Sequence, residues 1–325
     1  MKYTLNIFLL LILILFNCER KPIFNYLSPI SNTENYPILN NNSFWWIKKV
    51  IEYKPAWGSY VNNSYFNDIK KVYGPPSGGG TETPDNSSIL TLGSGGGYII
   101  VQFSPPITND AKNIKGYDFI IFGNAFWINN NSTTPWKEPA IVEVMKDENK
   151  NGIPDDTWYL LKGNLTEITD LITLSYSRID TNIKPINKTL YPQLEFFPLY
   201  PDNITFTFFE IKTNEIKNLL YGYADCTPTL KLGDTNADNI VDNPDIKAED
   251  FYTIPDDPNT PEIDHNSGGG DAFKLEWAVD ESTGVPVILD SIDFIKITSA
   301  ATETGVYGEY STEIDAISRV KKSNE

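Results

Sequence analysis

Short apolar runs rich in β-branched and aromatic residues, each cut off by Gly, Pro, Asn or Asp, follow one another from about residue 45 onward. This pattern constrains the fold more than any other feature of the chain. "YIIVQFSPPI" (Tyr98 to Ile107), "YDFIIFGNAF" (Tyr117 to Phe126), "PAIVEVM" (Pro139 to Met145) and "TWYLLKG" (Thr157 to Gly163) are four of them, and "ITFTFFEI" (Ile204 to Ile211), "DAFKLEWAV" (Asp271 to Val279) and "DFIKITSA" (Asp293 to Ala300) come later. Ile141, Glu143 and Met145 alternate with Val142 and Val144, and Phe273, Leu275 and Trp277 alternate with Lys274 and Glu276. A period of two suits half-buried strands. Helical periodicity is scarce. The best short helix starts at "NPDIKAEDFY", where Asn243 suits a cap and Pro244 the first turn. Many short strands with few helices predict an all-β chain, an antiparallel β-sandwich or jelly roll with long Asp/Asn/Gly-rich loops. No internal repeat is visible.

A chain of 325 residues is long enough for one large core or two ordinary ones. We expect a single domain over 44–325 with loop insertions. A hydrophobic fraction of 40% with 13% aromatics excludes a disordered chain. The net charge of -17 repels phosphate backbones and argues against a nucleic-acid partner.

The chain opens "MKYTLNIFLLLILILFNC": one Lys, an apolar run from Ile7 to Phe16, then Cys18. The run is short for a membrane span and has the form of a secretory signal. "LFNC" resembles a bacterial lipobox, with Asn17 where a smaller residue is usual; relaxed boxes of this kind resemble those of spirochaetal lipoproteins. That resemblance implies a signal peptide over 1–17, an acylated Cys18 as lipid anchor, a polar tether to residue 43, and a place on the outer membrane or cell surface. The alternatives are an uncleaved anchor and an ordinary signal peptide in which Cys18 is incidental. The only other cysteine is Cys226, so the mature chain has no internal disulfide, and we read Cys226 as a packed residue at a strand end.

Two loops concentrate acids and amides. In "DENKNGIPDD", Asp147, Asn149 and Asn151 stand at alternating positions before Gly152; Asp155 is ninth, and Asp156 follows. A calcium ion needs six to eight oxygens, several of them anionic, on a backbone that doubles back tightly. The twelfth position is Trp158 rather than a bidentate Glu, and strands flank the loop, so this is no EF-hand but a cage at a hairpin tip. The second loop, "GDTNADNIVDNPD", offers Asp234, Asn236 and Asp238 at positions one, three and five, Asn239 in place of the turn Gly, then Asp242 and Asp245 at nine and twelve. Asp, Asn and Gly also make good solvated turns, but a plain hairpin does not need this many inward oxygens, which favours calcium as cofactor. A third acidic stretch holds Asp256, Asp257, Asp264, Asp271 and the sole His, His265, without regular spacing, and reads as a long loop.

"GPPSGGG" (Gly74 to Gly80), "LTLGSGGGYIIVQF" (Leu90 to Phe103), "YDFIIFGNAF" and "EPAIVEVMKD…DDTWYLLKG", in that order, resemble bacterial cell-surface proteins with a galactose-binding-like (discoidin-type) jelly roll. Val142, Glu143 and Val144 match one strand of that pattern, Trp158, Leu160 and Leu161 the next, and "DFIKIT" a late one. "YGYADCTPTLKLGD", "GGGDAFKLEWAVD" and "STEIDAISRV" resemble further landmarks of the group. The resemblance covers about residues 50 to 320 and implies a fold, a place and a suggestion of ligand binding.

Little here looks like catalysis. One His in a loop, no nucleophile elbow and no phosphate-cradling motif leave triads and nucleotide chemistry without support. The glycine runs "GSGGGY" and "SGGGD" read as tight turns. A glycan- or protein-binding module fits better, because sugar rings stack on flat aromatics: Trp57, Tyr60, Trp127 and Trp136 lie in expected loops. Packing is the competing role for Trp57 and Trp127, and Trp158 and Trp277 read as core. A calcium-stabilised glycoside hydrolase, which needs only two suitably spaced carboxylates, and a purely structural surface protein are the alternatives.

Overall fold

The computed structural model of the chain describes residues 43–58, 60–76, 89–131, 133–165, 171–176, 200 and 202–323. The segment 1–42, with the signal-like run, Cys18 and nearly all of the tether, lies outside the described residues, as do residues 77–80 of the first glycine run. We number the strands in chain order.

The largest sheet is antiparallel and has the order β1 (Lys49–Lys54), β3 (Tyr98–Thr108), β14 (Ser291–Ser299), β7 (Ala140–Met145), β8 (Trp158–Leu161), β13 (Ala278–Val279), with β11 (Tyr223–Ala224) also pairing β7. A second sheet joins β12 (Asp271–Phe273), β4 (Phe119–Phe122) and β18 (Ala316–Arg319). Two-stranded pairs complete the set: β2 (Leu90–Gly93) with β17 (Thr312–Ile314), β5 (Phe126–Trp127) with β6 (Pro135–Trp136), β9 (Leu171–Tyr176) with β10 (Ile204–Phe209), and β15 (Thr304–Gly305) with β16 (Gly308–Glu309). All these ladders are antiparallel. Helices among the described residues are one-turn pieces such as Thr213–Ile216 and Ala248–Phe251. The chain is all-β, as the short apolar runs predict.

The pleat decides the core. Ile99, Val101 and Phe103 of β3, Ile295 and Ile297 of β14, and Val142 and Val144 of β7 point to one side. There they meet Phe119 and Ile121 of β4, Phe273 of β12, Ile317 of β18, and Leu90 and Leu92 of β2. Phe119 and Phe273 stack at 4.9 Å with an interplanar angle of 7°, a contact that adds to their area burial. The turn from β2 into β3 explains "LGSGGGY". A Cβ at Gly97 would lie 1.9 Å from the carbonyl oxygen of Leu92, so two backbone segments approach closer there than any side chain allows. Gly95 and Gly96 then donate to the carbonyls of Ala301 and Ser299 at 2.7 and 3.0 Å.

The hairpin around "DENKNGIPDD" forms as expected, with Glu143 opposite Leu160 and Met145 opposite Trp158. Three expectations need correction. β7 is buried on both faces, and only Glu143 stays half-exposed, because the strand is central and Leu160, Ile216 and Leu219 cover part of its outer side. "DAFKLEWAV" is not one strand: after Phe273 the chain makes a 3-10 turn at Leu275–Trp277 before β13. The amide of Leu275 is drawn off to Asp118 Oδ2 at 2.8 Å, so a turn, and not a pleat, brings Leu275 back to the core. The helix expected from Asn243 starts only at Ala248. The Asn243 side chain instead accepts from the amide of Asp245 at 3.2 Å, the local bond with which Asn competes against helix.

Candidate metal loops and the buried carboxylates beside the sheets

The two Asp/Asn loops fold into the same pattern. The position-one carboxylate receives two backbone amides: Asp147 from Asn151 (3.0 Å) and Gly152 (2.7 Å), Asp234 from Asp238 (3.3 Å) and Asn239 (2.9 Å). The position-three amide oxygen accepts from the position-five N–H, Asn149 at 3.0 Å and Asn236 at 3.1 Å. The position-five oxygen accepts from position seven, Asn151 from Ile153 at 2.7 Å and Asp238 from Ile240 at 2.9 Å. Asn149 and Asn236 both donate their Nδ2 to the ninth-position carboxylate, Asp155 at 3.2 Å and Asp242 at 3.5 Å.

The backbone repeats too. Position six is left-handed in both, Gly152 at φ 72° and Asn239 at φ 65°, which is the tolerance expected of Asn there. Position four is also left-handed, Lys150 at φ 56° and Ala237 at φ 63°, a feature no residue type announced. Non-Gly residues pay about 1–2 kcal/mol for that conformation, and here it folds the loop so that alternate side chains converge.

In the second loop the carboxylates of Asp234, Asp238 and Asp242 each place an oxygen within 4.8 Å of the others. Asp234 is buried while Asp238 and Asp242 are open to solvent, and burial raises the Asp234 carboxyl above its usual value. Such a set of anionic oxygens around an exposed opening suits a hard cation. Asp245, the expected twelfth ligand, is exposed and stands outside this trio. In the first loop Asp156 accepts from the amide of Glu148 at 2.9 Å, and the Asp147 amide is anchored on Asp293 of β14 at 2.8 Å.

The third acidic stretch caps itself. Asp256 accepts from Asp264 N at 2.7 Å, Asp264 accepts from Asp257 N at 2.9 Å and pairs with Lys115. His265 Nδ1 lies 3.2 Å from the carbonyl oxygen of Thr235, which also receives the Asn266 amide. The sole His therefore buttresses the second loop from outside.

The aromatic candidates separate. Tyr60 is exposed and stacked on Phe66 at 4.4 Å. Trp57 is half-buried, and its carbonyl accepts from Ser94 in the glycine turn at 2.6 Å. Trp127 is buried in the cluster around Phe122 and Tyr252. Trp136 is buried as well, stacked on Tyr310 at 4.9 Å, with the exposed Tyr307 edge-on at 4.9 Å. Burial takes Trp127 and Trp136 out of reach of a surface ligand, so the loop setting read from their Asn-rich neighbours is corrected. Cys226 is a free, buried thiol just after β11, pushed up by burial and by Asp271, as the packing reading of it expects.

Trp136 leads to a cluster the sequence reading missed. Its indole N–H donates to Glu138 Oε1 at 3.0 Å. Asn124 Nδ2 donates to Glu313 Oε2 at 2.6 Å. Asp225, wholly buried at φ 57°, accepts from the amides of Asn124 (2.7 Å) and Ala125 (2.9 Å) on one oxygen and of Glu313 (2.9 Å) on the other. Asp271 accepts from Cys226 N at 2.9 Å. Burial, then Glu313, pushes Asp225 up to about 8 against those three amides. Burial takes Glu313 to about 7 and Asp271 to about 8, and burial with Glu313 and Asp225 raises Glu138. No ion pair among the described residues involves these four acids, so burial and mutual repulsion make each of them hold a proton more tightly than in water. Each member sits in a different landmark run, "FGNAF", "EPAIVEV", "YADCT", "GGGDAF" and "STEID". The legible signal was one polar residue repeatedly placed inside an apolar frame.

No family model matches this chain, and no curated protein matches it.

Proposed function

We propose that this chain is a calcium-loaded, lipid-anchored protein of the bacterial surface, built on a galactose-binding-like jelly-roll sandwich and acting as a glycan- or protein-binding module. The observation that carries the calcium reading is the shared hydrogen-bond pattern of the 147–156 and 234–242 loops, with three carboxylates of the second drawn within 4.8 Å. Two unrelated stretches of sequence adopt one strained conformation, and a bound cation gives that strain a use. The two-sided core drawn from the large sheet, β12-β4-β18 and β2-β17 supports the sandwich. "LFNC" supports the anchor. Melting the purified domain with calcium and with EDTA tests the reading. Calcium at a hundredfold excess over its dissociation constant adds about 2.7 kcal/mol per site, and an unshifted melting temperature refutes it. Palmitate labelling lost in Cys18→Ala tests the anchor.

The buried carboxylates favour one second reading, a hydrolase that uses Glu138, the member with part of its surface open, as proton donor. Turnover of a polysaccharide panel that disappears in Glu138→Gln would establish it; no turnover rejects it.

A further inference from the structure

The outer face of the large sheet carries a groove between β3, β14, β8 and the β9–β10 strand pair, with a volume of about 240 Å³. Its walls are Tyr98 and Ile100 of β3, Lys296 and Thr298 of β14, Trp158 of β8 and Phe206 of β10. Trp158, two residues past the 147–156 loop and expected in the core, stands half-buried at the groove instead.

Three properties define what the groove can hold. Tyr98, Trp158 and Phe206 offer flat apolar surface, with Tyr98 and Phe206 edge to face at 6.4 Å. The charged groups around it largely pair off: Lys296 with Glu143 at 2.7 Å and Lys54 with Glu52 at 2.5 Å, both amines lying 5.7 Å over the Tyr98 ring, with Glu281 beside the first pair, so a strong anion is not favoured. Among the described residues the hydroxyl of Thr298 has no partner, although the residue is only 5% exposed. An unpaired buried hydroxyl costs roughly 1–3 kcal/mol, and a ligand hydroxyl would repay it. The hydroxyls of Thr205 and Thr207 are already taken by Ser175 (3.0 Å) and Thr173 (3.1 Å). What those residues bring to the groove is methyl and backbone on a strand that, among the described residues, pairs only with β9.

Flat aromatics, a neutral donor–acceptor pair and a waiting hydroxyl together match an uncharged ring with apolar faces and equatorial hydroxyls. We infer that the groove between β3, β14, β8 and β10 binds a single pyranose unit of a neutral glycan, packed against Trp158 and Phe206 and hydrogen-bonded by Thr298 and Lys296. This inference names the site for the glycan-binding half of the proposed function and rests on it.

The test is ¹⁹F NMR of calcium-loaded protein labelled with 5-fluorotryptophan, in which each of the 7 tryptophans reports separately. It is titrated with methyl glycosides of glucose, galactose, mannose and N-acetylglucosamine to roughly 0.1 M, far above millimolar affinity. The Trp158 signal, assigned by its loss in Trp158→Phe, is expected to shift saturably with at least one glycoside. Thr298→Val should weaken that glycoside about tenfold while the melting temperature holds or rises, since it removes an unpaired hydroxyl and keeps the shape. Lys296→Met should weaken it as well. Silence of Trp158 toward all four sugars, or unchanged affinity in Thr298→Val, overturns the groove. A saturable shift confined to another tryptophan overturns the groove yet keeps glycan binding, and silence at every tryptophan removes both.

Discussion

Raising the pH from 5 to 9 in the presence of EDTA should destabilise this protein, and the magnitude follows from the cluster around Asp225. Burial takes Glu313 from an ordinary 4.5 to about 7. A carboxyl held above its unfolded value binds its proton more tightly in the fold. Its stabilisation is therefore complete below about 4.5 and is lost as pH climbs through about 7. At 1.36 kcal/mol per pH unit, Glu313 alone accounts for ~3 kcal/mol between those limits. Asp225 and Asp271, both near 8, act in the same direction and extend the loss to alkaline pH. Coupling within the cluster keeps the sum below the total of its members. Urea unfolding at constant ionic strength, at half-unit steps of pH, measures it. Glu313→Gln mimics the protonated acid and still offers Asn124 an acceptor, so it should flatten the slope between pH 6 and 8 and raise stability at pH 8. Stability that is level or rising from pH 5.5 to 8.5, or a slope unchanged in Glu313→Gln, refutes the reasoning.

Two further outcomes follow from packing. Gly97→Ala must push a methyl into the Leu92 carbonyl, at 1.9 Å with backbone on both sides; a cost above ~3 kcal/mol is expected from the urea midpoint, and a cost under ~1 kcal/mol contradicts the close approach. Arg319 is buried with no ion-pair partner among the described residues, donates to the carbonyls of Phe44 (2.7 Å), Pro106 (2.8 Å) and Pro105, and is lowered to about 10 by burial. Arg319→Lys loses the planar fork that serves three carbonyls, and should cost roughly 2–3 kcal/mol, a fall of about 3–5 °C in Tm for a domain of this size; a change within error in a melting scan refutes that role.

The strands were legible because their signal is local. β3, β7, β10 and β14 lie on runs of β-branched and aromatic residues, and the hairpin carrying the first loop was readable from its two flanking runs. The turn chemistry of the two Asp/Asn loops was legible for the same reason, since alternating Asp and Asn act within a few residues of each other. What escaped depends on distant partners. Leu275 turns because Asp118 takes its amide from across the fold. Trp136 looked like a loop aromatic until Tyr310 and Glu138 closed on it. The carboxylate cluster gathers Glu138, Asp225, Asp271 and Glu313 from four separate runs, and no spacing rule joins them. The groove is hidden in the same way: Tyr98, Trp158, Phe206 and Thr298 become neighbours only through strand order.

The central claim is that both Asp/Asn loops hold calcium. Calorimetric titration of the EDTA-stripped protein measures this most directly. The account predicts two calcium ions per chain, one lost in Asp147→Ala, the other in Asp234→Ala, and no binding heat when both are changed. Absence of heat at millimolar calcium, or undiminished binding in the double variant, would contradict it.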